Sequence, residues 1–235
     1  YARVEYDEKR DRYLLKKAVD DTKDQSYVLY MLTQEQLAHV KLPLGGLRKD
    51  QVRVIAEEHG FINARKHDSQ DICFVPDGDY AKFIEKYTGK KTPEGDFVDK
   101  EGNYIGRHKG IIHYTIGQRR GLGIPAASRL YVCEISPKTN TVVLGDNSDL
   151  FSSELEADSV NLISVADLSE PKRVTAKIRY RHKEQPAIAW QTPDGILHVK
   201  FDEPQRAITK GQAVVMYDGD EVVGGGVINK IYSQS

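Results

Sequence analysis

The chain has 235 residues, of which 39% are hydrophobic and 29% charged, enough to bury one large core or a few small ones. Its formal net charge is −1 at pH 7, which excludes a long-range positive field, so any nucleic-acid contact has to come from local patches. The 2 cysteines are too few for a disulfide framework and lack metal-ligand spacing. Since no apolar run reaches membrane-spanning length and no secretory leader is visible, we expect a cytoplasmic protein without a membrane partner.

An opening β-hairpin and a capped helix are predicted in the first part of the chain. Residues 2–6 and 13–19 are strand-like and flank a charged turn, which indicates a hairpin. Thr33, with Gln36 three residues later, fits a capping box and predicts a helix over 34–40. Beyond its hairpin, this first part is expected to be mainly helical.

Two further helices are predicted from capping residues and helical spacing. Asp50 is placed to cap the first of them, and Gly60 to end it. The second begins after Asp79 and closes at Gly89. Its apolar residues recur at helical spacing and predict an amphipathic helix: Tyr80, Phe83, Ile84 and Tyr87.

Short strands separated by turns dominate the rest of the chain. Residues 130–135 and 141–144 indicate one hairpin. Past Phe151 almost every segment is strand-like, and strands at this spacing suggest a closed or nearly closed antiparallel barrel. The predicted barrel strands are 174–180, 187–191, 197–201, 213–217 and 222–228.

The predicted fold is therefore mixed and has three parts. Residues 1–75 form a mainly helical part, and 76–150 a small central α+β domain. Residues 151–235 form a C-terminal antiparallel β-barrel.

The two cysteines lie in different predicted settings. Cys73 lies in the polar, turn-like stretch 69–74, and the basic run at 65–67 supplies positive charge that favours a thiolate. The alternative is that Cys73 is a small buried hydrophobic residue. Cys133 lies in the middle of a predicted strand, where a buried structural thiol is expected.

Two short polar motifs stand in predicted turns. Lys23, Asp24 and Gln25 lie where a turn leads into the next element, and a solvated cap is their ordinary role. Arg119 and Arg120 lie in a glycine-flanked turn, where guanidinium groups suit bidentate phosphate contacts. The alternative for the second motif is a surface loop whose arginines face water.

A row of cations is predicted on one barrel strand. Alternation along the strand places Arg173, Lys177, Arg179 and Arg181 on one face, with Tyr180 on the other. Such a row suits contact with phosphates. It is equally a common defence of an exposed sheet edge, and the sequence leaves both interpretations open.

These motifs together resemble the tRNA-uridine 2-thiouridylases, the MnmA/TrmU family. The resemblance is carried by 69–74, by 113–124 and by the Lys-Asp-Gln of 23–25 with the Ser-Tyr pair after it. It runs from the first residues to the C-terminal Gly-Gly-Gly-Val strand and so covers essentially the whole chain.

The resemblance implies which residues handle sulfur and tRNA. Cys73 corresponds to the cysteine that carries the persulfide sulfur, whereas Cys133 corresponds to no functional residue. No metal ligand is implied. The implied or predicted tRNA-binding residues are Lys23, Asp24, Gln25, Arg119, Arg120, Arg179, Tyr180 and Gln212.

A reaction is also implied by the resemblance. In the family, ATP adenylates the C2 oxygen of the wobble uridine of tRNA, and a persulfide sulfur then attacks C2. Cys73 would be the persulfide carrier, which divides one difficult step into two easier ones. ATP and a persulfide sulfur donor are thus the implied cofactors, and tRNA and a sulfur-relay protein or cysteine desulfurase the implied partners.

The resemblance further implies that residues 1–75 are the C-terminal part of an ATP-pyrophosphatase-type catalytic domain. The ATP loop of the family and its first catalytic cysteine, which would form a disulfide with Cys73 or reduce its persulfide, do not occur here. We therefore expect a C-terminal portion of the enzyme that is inactive alone. The glycines at 45–46 and 224–226 lack the residues of a phosphate loop and are expected to serve turns and packing.

Two other functions remain open at this point. The chain could be a stand-alone, non-catalytic tRNA-binding module, or a structural domain in which Cys73 is inert. Thiol reactivity of Cys73 separates the enzyme from the structural domain. An upstream coding region with an ATP loop separates the enzyme from the binding module.

Overall fold

The computed structural model describes residues 1–66, 75, 78–125 and 128–232, which form two compact units. The first unit comprises Tyr1–Lys66, Ser153–Pro204 and Thr209–Tyr232. The second comprises the described residues of His67–Ser152 together with Gln205–Ile208. The chain thus enters the first unit, passes through the second and returns.

The first unit opens with the predicted hairpin, followed by three short helices. The hairpin pairs Arg3 with Lys16 and Asp7 with Arg12, and Asp11 takes a positive φ of 51° in its turn. The elements are strands β1 (Arg3–Asp7) and β2 (Arg12–Lys16) and helices α1 (Ser26–Leu29), α2 (Gln34–His39) and α3 (Lys49–Glu58).

The first residues of α2 and α3 show which helix caps can be predicted from neighbouring residues in the sequence. Helix α2 begins with the predicted capping box: the Gln36 N–H donates to Thr33 Oγ1 at 3.3 Å, and Gln36 Oε1 accepts from the Thr33 N–H at 3.0 Å. The prediction that Asp50 caps α3 is wrong. Instead, Oδ2 of Asp20, far earlier in the chain, accepts from the Lys49 N–H at 2.9 Å. The start of α3 thus combines this distant bond with a local one, in which Gln51 Oε1 accepts from the Arg48 N–H at 2.8 Å.

The second unit combines one helix with a four-stranded sheet. The helix begins after Asp79 and is ended by Gly89 at φ 67°, as predicted, and Asp79 caps it by accepting from the Lys82 N–H at 3.0 Å. The sheet order is β4-β3-β6-β5, with β3 and β6 parallel. The elements are α4 (Tyr80–Thr88), β3 (Gly95–Val98), β4 (Tyr104–His108), β5 (Tyr131–Ser136), β6 (Thr141–Gly145) and 3-10 turns at Ile111–His113 and Asn147–Leu150.

Six strands close into the predicted antiparallel barrel, in the order β12-β11-β8-β9-β10-β7, with β7 also paired to β12. The five predicted strands are joined by a long strand that precedes them, β7. The strands are β7 (Phe151–Leu162), β8 (Lys172–Lys177), β9 (Gln185–Gln191), β10 (Leu197–Arg206), β11 (Ala213–Asp218) and β12 (Glu221–Tyr232).

Strand β8 is shorter than predicted. It pairs with β9 over Lys172–Ala176 and with β11 over Thr175–Lys177, and neither partner continues the ladder beyond Lys177. Arg179 and Arg181 therefore lie in the following turn, so the predicted row of four cations along one strand face is wrong.

The hairpin, the first helices and the barrel share one core in the first unit. Lys16 of β2 pairs with Glu221 of β12, which joins the hairpin to the barrel sheet. The predicted division into 1–75, 76–150 and 151–235 stays a prediction. The shared core consists of Ala2, Leu15, Tyr27, Tyr30, Leu37, Ile163, Val215, Tyr217 and Val222.

Candidate nucleic-acid interface

Two motifs that lie far apart in the sequence meet in the first unit. The hydroxyl of Tyr180 donates to the backbone carbonyl of Asp24 at 3.3 Å, across 156 residues of chain. Tyr180 lies in the turn after β8, and Asp24 in the turn before α1. The structure thus brings the Arg179-Tyr180 pair to the Lys-Asp-Gln turn.

The Asp24 carboxylate holds its own turn in place. Its Oδ1 accepts from the Ala18 N–H at 2.9 Å and from the Ser26 N–H at 3.3 Å, and its Oδ2 accepts from the Ser26 hydroxyl at 2.6 Å. The hydroxyl of the fully buried Tyr217 lies 3.3 Å from Ser26 Oγ. The negative charge of Asp24 is therefore satisfied internally, a positioning role that sequence reasoning did not identify.

Tyr27 links this turn to the Gly211-Gln212 motif. Its hydroxyl donates to the carbonyl of Ala213, directly after Gln212, at 2.9 Å. Its ring meets the ring of Tyr180 edge-on, with 6.1 Å between centroids. Burial raises the pKa of Tyr27 to about 12, so the hydroxyl stays protonated and can donate at neutral pH. The Tyr27 side chain therefore links the Lys-Asp-Gln turn, the Arg179-Tyr180 pair and the Gly211-Gln212 motif. Sequence reasoning missed this link because the three motifs lie far apart in the chain.

Positive charge surrounds this aromatic pair. The Nζ of Lys177 lies 5.7 Å from the Tyr27 ring centroid and 5.9 Å from that of Tyr180, within cation–π range. The pKa of His182 is lowered by burial and then by the charges of Arg179 and Lys177, which keeps its imidazole neutral at pH 7.

Arg173, another residue of the predicted cationic row, forms an ion pair on the sheet surface instead of joining this cluster. Its guanidinium forms an ion pair with Asp202, with Nη1 2.6 Å from Oδ1. This exposed pair joins β8 to β10, so Arg173 belongs to the surface of the sheet.

We name the cluster of Asp24, Tyr27, Lys177, Arg179, Tyr180 and His182, with Gln212 beside it, the aromatic turn site.

The second unit presents a simpler basic turn. Gln118 holds it locally, since its Oε1 accepts from the Thr115 N–H at 3.0 Å and its Nε2 donates to the Arg120 carbonyl at 2.9 Å. Gly117 and Gly121 have φ values of 83° and 77°, as a glycine-flanked turn requires. Arg119 and Arg120 are exposed, and neither guanidinium has an ion pair with any residue that the structure describes.

The predicted sulfur carrier, Cys73, lies outside the described residues. The described cysteine, Cys133, is a partly buried free thiol whose Sγ lies 3.5 Å from the Tyr131 carbonyl. Burial, with the nearby Asp149 carboxylate, raises the pKa of Cys133 to about 11, which keeps it in the unreactive thiol form. The disulfide implied by the resemblance is not supported.

The two glycine clusters pack against backbone rather than forming phosphate-binding loops. A Cβ on Gly45 would stand 1.7 Å from the Ala2 carbonyl oxygen, and one on Gly225 would stand 2.5 Å from that of Val214. These residues do not fit the phosphates of ATP. Across the described ranges, no group of three or more side chains is arranged to hold a metal ion. Nor does any helix there have the length and apolarity to cross a membrane.

Comparison with known proteins gives three consecutive family matches along the chain. Residues 1–77 match the family described as the tRNA methyl transferase HUP domain. Residues 81–146 match the tRNA methyl transferase PRC-barrel domain, and residues 152–228 the Aminomethyltransferase beta-barrel domain.

Several curated relatives match nearly the whole chain. The tRNA-specific 2-thiouridylase MnmA of Clostridioides difficile (strain 630) is 57% identical over 230 residues, which is 98% of this chain and 64% of the relative. That of Acetivibrio thermocellus is 55% identical over 228 residues, or 97% of this chain and 64% of the relative. The tRNA-specific 2-thiouridylase MnmA 1 of Thermoanaerobacter sp. (strain X514) is 55% identical over 98% of this chain and 63% of the relative. The chain thus spans somewhat less than two thirds of these relatives.

Proposed function

We propose, because the chain belongs to the family of the tRNA-specific 2-thiouridylases, that it forms the tRNA-binding and sulfur-carrying part of a tRNA-uridine 2-sulfurtransferase. The observation that carries the proposal is the meeting of three motifs in the aromatic turn site. Tyr180 bonds to Asp24, and Tyr27 reaches from Tyr180 to the residue after Gln212.

The chemistry of the aromatic turn site supports RNA as its partner. Arg179 and Lys177 supply positive charge beside two tyrosine rings, the combination that single-stranded or unpaired RNA favours. The net charge of −1 makes such a local patch necessary, since the chain as a whole does not attract polyanions. In the second unit, the exposed Arg119 and Arg120 are proposed to add phosphate contacts.

The sulfur chemistry of the proposal rests on Cys73. As the resemblance implies, Cys73 accepts sulfur as a persulfide from a sulfur-relay protein or a cysteine desulfurase. This sulfur is bonded to C2 of the wobble uridine as AMP leaves, and the family's first catalytic cysteine supplies the two electrons that break the persulfide S–S bond. ATP would supply activation of the C2 oxygen as a leaving group. Since the described glycines do not fit its phosphates, no role in holding ATP is assigned to them. The tRNA substrate and the ATP requirement favour the cytoplasm as the location.

The two cysteines provide a direct test in the full-length protein. Cys73→Ser should abolish formation of 2-thiouridine, measured by mass spectrometry of digested tRNA, while tRNA affinity stays nearly unchanged. Cys133→Ser is the matched control and should keep thiolation. Thiolation that survived the Cys73 substitution and disappeared with the Cys133 substitution would overturn the assignment of the sulfur carrier.

Alkylation gives a second test that does not depend on turnover. Timed treatment of the native protein with iodoacetamide, with peptide mapping, should label Cys73 before Cys133, because burial of Cys133 keeps it protonated. Faster labelling of Cys133 would contradict the proposal. Equal labelling only after denaturation would instead favour an inert Cys73.

A further inference from the structure

One arginine of the second unit, Arg206, contacts the backbone at the start of the basic turn. Its Nη2 donates to the Gly117 carbonyl at 3.4 Å, across 89 residues of chain. Its Nε donates to Oδ1 of Asn147 at 3.2 Å. The guanidinium also lies 5.5 Å from the ring centroid of Tyr131, within cation–π range. The side chain of Arg206 is therefore held from three sides.

The backbone that carries Arg206 has an unusual conformation. The next residue, Ala207, is buried and takes a positive φ of 56°. The left-handed region is unfavourable for a residue with a Cβ, and it persists where the surrounding structure determines it. Here the Ala207 N–H donates to the Leu150 carbonyl at 2.7 Å, which fixes the segment against the 3-10 turn. Arg206 thus extends from a well-defined position.

Gly117 provides the space that the guanidinium needs. The Gln118 N–H donates to the Thr115 carbonyl at 3.0 Å, and the φ of 83° at Gly117 fits the third position of a type II turn. A Cβ on Gly117 would stand 3.2 Å from both Nη1 of Arg206 and the Cβ of Ala207. Any side chain at this position would therefore press on the arginine.

The bond from Arg206 completes the hydrogen bonding at the start of the basic turn. The Gly117 N–H donates to the Val132 carbonyl at 2.8 Å, and the Val132 N–H donates to the Gln118 carbonyl at 2.9 Å. The Gly117 carbonyl instead accepts from Arg206. Because a glycine backbone is permissive, loss of this donor lets the peptide between Gly117 and Gln118 rotate. Such a rotation changes the path of the chain toward Arg119.

We propose that Arg206 is a positioning residue for tRNA binding, which fixes the basic turn so that Arg119 and Arg120 contact phosphates together. The inference rests on the proposed function, since those phosphate contacts are part of it. The guanidinium of Arg206 already contacts two oxygens and one ring, so it acts through the turn. The planar fork of an arginine is required, because a lysine presents a single point charge.

Salt titrations of tRNA affinity, with the full-length protein, test this role. Arg206→Ala should weaken binding severalfold and lower the salt dependence by about one counterion, although no phosphate contact is assigned to Arg206 itself. Arg206→Lys keeps the positive charge but loses the fork, and it should show the same loss. In a variant that already carries Arg119→Ala and Arg120→Ala, adding Arg206→Ala should have no further effect, because the contacts that it positions are gone.

Hydrogen–deuterium exchange reports on the turn without tRNA. The amide of Gln118 should exchange faster in Arg206→Ala and in Arg206→Lys than in the wild type, whereas the amides of β6 should not change. Arg173→Ala is the matched control, because it removes an arginine paired with Asp202 on the barrel surface, and it should alter neither exchange nor salt dependence. If β6 is also exposed in Arg206→Ala, Asn147→Ala decides, since it removes an exposed acceptor and keeps the charge. It should reproduce a smaller loss of affinity.

The outcomes separate this inference from the proposed function. Full affinity in Arg206→Lys, or a loss that adds to those of Arg119→Ala and Arg120→Ala, would overturn the positioning role and show a direct electrostatic contact. Normal binding by Arg206→Ala and Asn147→Ala, with weakened binding by Arg119→Ala, would overturn the inference and leave the proposed function standing. Absence of tRNA binding by the wild type would overturn the proposed function and, with it, the role of Arg206 in tRNA binding.

Discussion

The aromatic turn site and the Arg119-Arg120 turn both carry predicted tRNA contacts, but they are built in different ways. The first is fixed by hydrogen bonds between residues far apart in sequence, such as Tyr180 with Asp24 across 156 residues and Ser26 with Tyr217 across 191. The second combines the bonds of Gln118 within its own turn with backbone bonds between that turn and Val132. Side chains far apart in sequence therefore fix the binding groups of the first region, whereas the arginines of the second extend from a turn that is held through its backbone and Gln118.

The largest expected effect comes from removing the carboxylate that anchors the first region. Asp24→Ala leaves two backbone N–H groups and the Ser26 hydroxyl without their acceptor, so the free energy of unfolding should fall by about 3 kcal/mol. Urea denaturation measures the change, and tRNA affinity should fall with it. Asp21→Ala, which removes an exposed carboxylate three residues earlier, is the control and should leave stability unchanged. Equal stability of the two variants would remove the distinction between the regions.

A smaller loss is expected from the hydroxyl that links two motifs. Tyr27→Phe keeps the ring but leaves the Ala213 carbonyl without its donor, which should cost about 1 kcal/mol of stability. Affinity for tRNA should fall severalfold, because that bond joins the helix after the Lys-Asp-Gln turn to the strand that begins directly after Gln212. Tyr87→Phe changes a tyrosine that is 82% exposed and should alter neither property. Unchanged tRNA affinity in Tyr27→Phe would show that the link has no functional role.

Sequence patterns within a few residues predicted most helices and strands of both units well. The capping box at Thr33, the helix between Asp79 and Gly89 and the regular spacing of strands depend on residues close in sequence, and the structure has all three. The errors lie where distant residues decide. Asp20 caps α3 from outside the helix, and β8 ends where the ladders of its neighbours end.

The candidate site divides in the same way. Arg119 and Arg120 could be predicted as exposed cations from their glycine-flanked turn alone. The inward role of the Asp24 carboxylate and the linking role of Tyr27 could not, since their partners are set by the packing of α1 against the barrel. The residue types were enough to identify the motifs, but the structural roles of Asp24 and Tyr27 depend on tertiary contacts that the sequence does not show.

In the basic turn, removal of one arginine should weaken tRNA binding through lost electrostatic attraction and should leave the stability of the protein unchanged. Arg119→Ala or Arg120→Ala should weaken tRNA binding severalfold and lower the salt dependence of the affinity by about one counterion per site. Unfolding by urea should match the wild type, because both guanidinium groups are exposed. Titrations of binding at several salt concentrations make the measurement. An unchanged salt slope in both variants would exclude phosphate contacts by this turn.

The smallest effect concerns the protonation of His182 in the aromatic turn site. Burial and the charges of Arg179 and Lys177 lower its pKa below the value of about 6.5 for an unperturbed histidine. The unfolded chain then binds more protons than the folded one as the pH falls through that value, so stability should decrease from neutral pH toward pH 5 and be regained as the pH rises. NMR titration of the ring should show the lowered pKa directly. Arg179→Ala removes one of the two charges and should move the pKa upward, whereas Arg119→Ala, a change in the other unit, serves as the control. A His182 pKa that did not respond to Arg179→Ala would contradict the electrostatic coupling that sets the first region apart from the second.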